Sequence, residues 1–276
     1  MKLNHSTGAI AFLLATPLVT GLTVGIAPSS AAIIAGAAAE VTIDNFSHRP
    51  KENGTVTNTY TETKAHNGLV ISEATAEAVF LSNEDGLWTG NQLQSQVRGD
   101  GDNYSGLAQT QAIVLGDFDI DAAETFSFNF HTVLAVLTSL DNRQSERATG
   151  MGSISFLLIN TVTNILFDSF EIASVLDSSS RHYLNFSPSN SFNPTAINFN
   201  LIAEGSQVQS RLDTSGVYSR TFDSATSLRL VEVNINIAEA EAVPEPSTLL
   251  GTAIFLGLFV RRRKLSNKLS QVKSKL

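Results

Sequence analysis

Two oxygen-rich segments carry spacings that a hard cation would use. Asp100-Gly101-Asp102-Asn103 places side-chain oxygens from Asp100, Asp102 and Asn103 at the first, third and fourth places of a calcium loop. The pattern then stops, because Tyr104 holds the fifth place and no glycine holds the sixth. Asp117, Asp119 and Asp121 alternate with Phe118 and Ile120. On a strand this puts three carboxylates on one face, where they repel unless a cation or solvent intervenes. Ca²⁺ is the one cofactor these residues point to; a solvated turn and a wet sheet face are the plain alternatives. Trp88 and Tyr104 flank the Gly-rich stretch from Gly90 to Gly106 and offer faces for stacking sugar rings, with core burial the competing fate.

Catalytic signals are thin. Ser153 follows Gly150-Met151-Gly152, but Ser155 stands where a nucleophile elbow needs glycine. A Gly-rich turn entering a core strand explains the segment. His48, His66, His131 and His182 form no HExxH and no close pair. The paired carboxylates of a glycosidase come from distant strands, so no local feature speaks for them. No catalytic residue is assigned, and a non-enzymatic protein is expected.

The elements that would hold these residues read as strands. Phe126, Phe128 and Phe130 alternate with Ser127, Asn129 and His131. Ile154, Phe156 and Leu158 repeat the period. Val231, Val233, Ile235 and Ile237 alternate with Glu232, Asn234 and Asn236. Period two with one apolar side predicts half-buried strands whose apolar side meets the core. Gly, Asn, Asp and Ser clusters separate the runs, as turns require. The 16 Phe supply the large side chains of a sandwich core. The expected fold is all-β: a two-sheet antiparallel β-sandwich, jelly-roll-like, with an N-terminal signal helix and a C-terminal single transmembrane helix; an open or irregular β-barrel is the alternative architecture.

Composition narrows the partners. The chain has 276 residues, no cysteine and a formal net charge of −8. Between Glu40 and Ala242 lie 25 acidic and ten basic side chains, a net charge near −15. Such a surface repels phosphates, so nucleic acid is not an expected partner. Without cysteine there are no disulfides, thiol nucleophiles or Cys-based zinc sites.

The two ends differ from the middle. Lys2 and His5 precede a stretch without charge from Gly8 to Ala39, as in a secretory signal peptide. Small-x-small cleavage candidates are Ser30-Ala31-Ala32 and Ala37-Ala38-Ala39. At the other end, Pro244-Glu245-Pro246 is followed by an uncharged run from Ser247 to Val260 and then by Arg261, Arg262, Arg263 and Lys264. The prolines keep the chain extended, the apolar run enters a bilayer, and the cations stay on the cytoplasmic side. Fourteen helical residues would span ~21 Å, short of a ~30 Å hydrocarbon core. This fits transient retention better than a permanent span. The organisation expected is a signal peptide over 1–39, an extracytoplasmic β-sandwich over 40–242, a sorting segment with a transmembrane helix over 243–264 and a basic cytoplasmic tail over 265–276.

The triplet, apolar run and arginine cluster together resemble a PEP-CTERM sorting signal, found on exported proteins of cyanobacteria and other biofilm-forming Gram-negative bacteria. The resemblance implies the sorting motif Pro244, Glu245, Pro246, Arg261, Arg262 and Arg263. It also implies processing by a membrane exosortase after secretion, with the helix holding the chain in the membrane. The extension after Lys264 departs from the family, which stops soon after the arginines. The stretch from Phe126 to Phe170 resembles a region of PEP-CTERM proteins of unknown function and brings no activity with it. Together these readings expect a cell-surface or biofilm-matrix protein with a non-catalytic, glycan-binding β-sandwich and extracellular polysaccharide as partner. A self-associating structural envelope protein is the alternative, and a secreted polysaccharide hydrolase the lesser one.

Overall fold

A computed structural model describes residues 33–83, 86–141, 145–178 and 181–242. The described chain is strand throughout: β1 (Ile33–Asp44), β2 (Glu52–Asn83), β3 (Gly86–Ile120), β4 (Thr125–Ser139), β5 (Glu146–Asn160), β6 (Leu166–Asp177), β7 (His182–Pro188), β8 (Phe192–Glu204), β9 (Gln207–Thr221) and β10 (Thr226–Ala242). Every ladder between the described strands is antiparallel. The expected signal helix and transmembrane helix fall on residues outside those described. Among the described residues, no helix is long and apolar enough to cross a membrane.

The strands form one sheet in the order β7-β6-β5-β10-β3-β1-β4-β9-β8, with β2 on the other edge of β3. Two separate sheets are the expectation; a single sheet folded on itself is what forms. The long β2–β3 hairpin makes this possible. One edge of β3 is used twice: residues 89–99 pair with β1 and residues 104–120 with β10. Between them the β2–β3 register shifts around Asn67 and Gly68. The sheet folds over there, so that β1 and β4 lie against β5, β10 and β6. The result is an almost closed sandwich whose order ends at β7 and β8, with β2 a further edge strand beside β3.

Side-chain volume falls from one end of the interior to the other. At one end Phe118, Phe126, Phe128, Phe130, Phe156, Phe170, Phe192 and Tyr218 form the main core. At the other, Ala35, Ala108, Ala148, Ala238, Ala240 and Ala242 pack with Ile33, Val97, Tyr104 and Leu140. The facing halves converge at this small-residue end. A Cβ on Gly150 would lie 2.4 Å from the Gly36 carbonyl oxygen, and one on Gly152 2.5 Å from a Leu134 methyl. Gly150 and Gly152 therefore sit inside β5 as contact points between the halves, where a turn before a strand is expected from sequence.

Ile33–Ala39, read above as the end of the leader, form the first half of β1. Their small side chains suit the narrow end of the interior as well as they suit a cleavage site.

Candidate functional site

The least expected chemistry lies inside the sandwich. On β10 the buried side is Leu228, Leu230, Glu232, Asn234, Asn236 and Ala238; Val231, Val233, Ile235 and Ile237 are only half-buried and face outward. Over residues 231–237 the apolar side of this strand is thus the outer one, the reverse of the sequence expectation. Its outer neighbours are apolar too: Val231 pairs with Leu115 and Leu157, and Val233 with Ile113. Cross-strand packing shelters the stripe on the outside.

The inward polar side chains tie the facing halves together. Asn91 on β3 donates from Nδ2 to Glu232 Oε2 and accepts at Oδ1 from Asn234 Nδ2 at 2.9 Å. Asn236 Nδ2 donates to the Leu93 carbonyl at 3.2 Å. Ser95 Oγ donates to the Asn236 carbonyl at 3.2 Å and lies 3.1 Å from Thr110 Oγ1. Glu232 is fully buried, and burial pushes its carboxyl up to about 8 against the hydrogen bond from Asn91. Glu232 Oε1, Asn234 Oδ1 and Asn236 Oδ1 accept no hydrogen bond. The belt is a set of acceptors short of donors, which a proton on Glu232 partly corrects.

A second buried acid holds the aromatic end. Asp168 on β6 accepts from Arg220 Nη1 at 2.7 Å, Tyr218 OH at 3.0 Å and Ser189 Oγ at 2.9 Å. Burial alone would raise its pKa, but Arg220, Ser189, Tyr218 and Ser191 together hold it below the usual carboxylate range. The Arg220 guanidinium also lies over the rings of Phe167 and Phe222, at 4.7 and 5.4 Å. This cluster joins β6 to β9 and is structural. The sequence shows it only as an acid between two phenylalanines, because Ser189 lies 21 positions away, Tyr218 50 and Arg220 52.

The residues singled out from sequence are dispersed. Asp100 and Asp102 are exposed beside the hairpin irregularity, and Asn67 Nδ2 reaches Asp102 Oδ2 at 3.5 Å. Asn103 follows, half-buried. Asp117 takes a bidentate pair of hydrogen bonds from Arg229, both at 2.6 Å. Asp119 accepts from Ser227 at 2.9 Å and meets Lys51 at 3.4 Å, while Asp121 lies past the strand end. Cations and hydroxyls of neighbouring strands thus occupy the role imagined for Ca²⁺. Among the described residues, no group of three or more His, Cys, Asp or Glu is placed to hold a metal.

Tyr104 is 3% exposed, with its ring lying where a Cβ of residue 99 would stand. Burial, then Glu146, Asp100 and Asp141, push its phenol upward. It offers no face to a sugar. Trp88 is half-buried with its ring over Gly90. Sixteen positions of strand, about 50 Å if straight, separate the two rings along β3. His48 pairs with Glu124 at 2.9 Å and His131 with Asp213 at 3.1 Å. Ser153 lies half-buried within β5.

One surface groove stands at the narrow end, on the outer face. Its volume is about 510 Å³, and Glu62, Lys64, Arg147, Thr149, Glu239 and Glu241 line it. Mixed donors and acceptors in a shallow groove suit a polar ligand held by hydrogen bonds. Ala240 and Glu241 bring the groove next to Ala242, the last residue of β10.

From that residue on, comparison with known proteins takes over. The PEP-CTERM protein-sorting motif matches residues 242–264. The match supports the chain as a PEP-CTERM exosortase substrate. Pro244, Glu245, Pro246, Arg261, Arg262 and Arg263 all fall within it and lie outside the described residues. No curated protein and no solved structure matches the chain.

Proposed function

We propose that this protein is exported, held briefly in the inner membrane by its C-terminal segment and passed by an exosortase to the cell surface or matrix. There its β domain works without catalysis, by presenting surfaces. The observation that carries this reading is the abutment of motif and fold: the sorting match begins at Ala242, where β10 ends. Processing just beyond Ala242 would free a whole domain and leave no strand cut. The acidic surface keeps such a domain soluble once released.

Extracellular polysaccharide is the proposed ligand class. The groove of Glu62, Lys64, Arg147, Thr149, Glu239 and Glu241 supports it in place of the Trp88 and Tyr104 pair. The test replaces Pro244 and Pro246 with alanine in a host that carries an exosortase. Wild-type protein is expected at the surface or in the medium, and the variant in the inner-membrane fraction. Equal distribution of both would remove the sorting claim. A polysaccharide pull-down with wild type and Arg147→Ala checks the ligand, since retention unchanged by the substitution counts against the groove.

Self-association is favoured by a separate observation. Residues 182–203 carry no Asp, Glu, Lys or Arg, in a domain otherwise dense in acids. They make up β7 and all of β8 but its last residue, Glu204, and these two strands end the sheet order, with β2 a third edge strand. On β8, Ile197, Phe199 and Leu201 are 52%, 45% and 47% exposed. Nothing charged guards this edge against pairing with β8 of a second copy. Light scattering should show dimers that Phe199→Asp dissolves. A wild-type monomer at high concentration would contradict this second reading.

A further inference from the structure

We propose that the export leader is cut between Ala32 and Ile33, and not at the alanine run that ends at Ala39. This rests on the export reading above and adds the processing site to it. Both Ser30-Ala31-Ala32 and Ala37-Ala38-Ala39 have the small side chains a signal peptidase accepts. The fold separates them. Ile33 to Ala39 pair residue by residue with Gly99 to Leu93 of β3. Ile34 to Ala39 pair on the other side with Ser139 to Leu134 of β4. β1 is the strand that joins β3 to β4 in the sheet order. Ile33, Ala35 and Ala37 are 0% exposed, and Ala38 and Ala39 1%.

A cut after Ala39 would remove this half-strand. It would leave unpaired backbone on β3 and β4 in the middle of the sheet, and a void where five buried side chains stood. Unpaired buried backbone and lost packing are each costly, and together they exceed what a domain of this size can lose. A cut after Ala32 keeps the whole of β1 with both its ladders. In that step water adds across the Ala32–Ile33 peptide bond, leaving a carboxylate on Ala32 and an amine on Ile33.

The site has a geometric consequence. Ile33 pairs with Gly99, and Ala242 pairs with Tyr104, on the same edge of β3 and five positions apart. Both residues belong to the small-residue core around Tyr104. The first residue after the proposed cut and the last residue of β10 therefore stand at one pole of the domain.

The test is N-terminal sequencing with intact mass on full-length protein expressed in a Gram-negative host, with and without Ala32→Phe. Export with Ile33 as the first residue is expected, and Ala32→Phe should slow cleavage and accumulate precursor. A first residue of Glu40, or any start other than Ile33, overturns the site while leaving export intact. A chain that keeps its leader in wild type overturns the export reading and the site together.

Discussion

β4 and β10 carry the same period-two signature and bury opposite sides of it. In β4 the Phe126, Phe128 and Phe130 side points inward and Ser127, Asn129 and His131 outward, as alternation predicts. In β10 the side with Glu232, Asn234 and Asn236 points inward, and the valines and isoleucines outward. The difference follows position along the tapering interior. Phe128 stacks on Tyr218 at 5.0 Å and Phe118 meets Phe126 at 4.6 Å, where the halves stand apart. Beyond that end, β10 meets Asn91, Leu93 and Ser95 of β3 across a narrower gap. Polar side chains bridge it by hydrogen bonds. Periodicity locates a strand; which side is buried depends on what the opposite half presents.

The largest effect should come from the aromatic end. Phe128→Ala is expected to cost about 4 kcal/mol in denaturant unfolding, as other buried Phe truncations do. A cost under about 1 kcal/mol would mean that the end is loosely packed.

Glu232→Gln probes the other side of the comparison, with the opposite sign. The unfolded chain ionises near 4.5, whereas the folded chain keeps its proton up to about 8. Stability from this group is therefore complete below pH 4.5, falls as the pH rises to about 8, and is flat beyond. Glutamine removes that slope. A gain on the order of 4 kcal/mol at pH 8 and almost none at pH 4 is expected, read from paired unfolding curves. An equal effect at both pH values would place Glu232 in contact with solvent.

Asp168→Asn should cost about 2 kcal/mol at neutral pH, by weakening the bonds from Arg220, Tyr218 and Ser189. Because the folded carboxyl is held low, its contribution is present at neutral pH and is lost as the pH falls below the usual carboxylate range. The gap between variant and wild type should close with it. The smallest effect is expected outside. Ile235→Lys leaves the interior intact and should change stability by less than about 1 kcal/mol. EDTA should leave the melting temperature unmoved, since Arg229, Lys51 and Ser227 already answer the Asp117 and Asp119 carboxylates.

The all-β class, the Phe side of β4 and the sorting segment were legible from sequence, because each depends on local spacing. What escaped depends on pairings across the chain. Ala35 to Ala39 look like leader because alanine serves a peptidase and a narrow core equally. Tyr104 looks like a sugar platform until β3 lays its ring on the backbone at Gly99. Asp117 and Asp119 look like ligands until β10 and the stretch before β2 bring Arg229, Ser227 and Lys51 beside them. The belt of Asn91, Glu232, Asn234 and Asn236 joins residues over 140 positions apart.

The inward polar side of β10 can be tested directly, because the chain contains no cysteine. Single replacements Asn234→Cys and Ile235→Cys would be treated with a maleimide under native conditions and again after unfolding. The structure predicts that residue 235 labels in the folded protein and that residue 234 labels only once the domain is unfolded. Rapid native labelling at 234 with protection at 235 would contradict it.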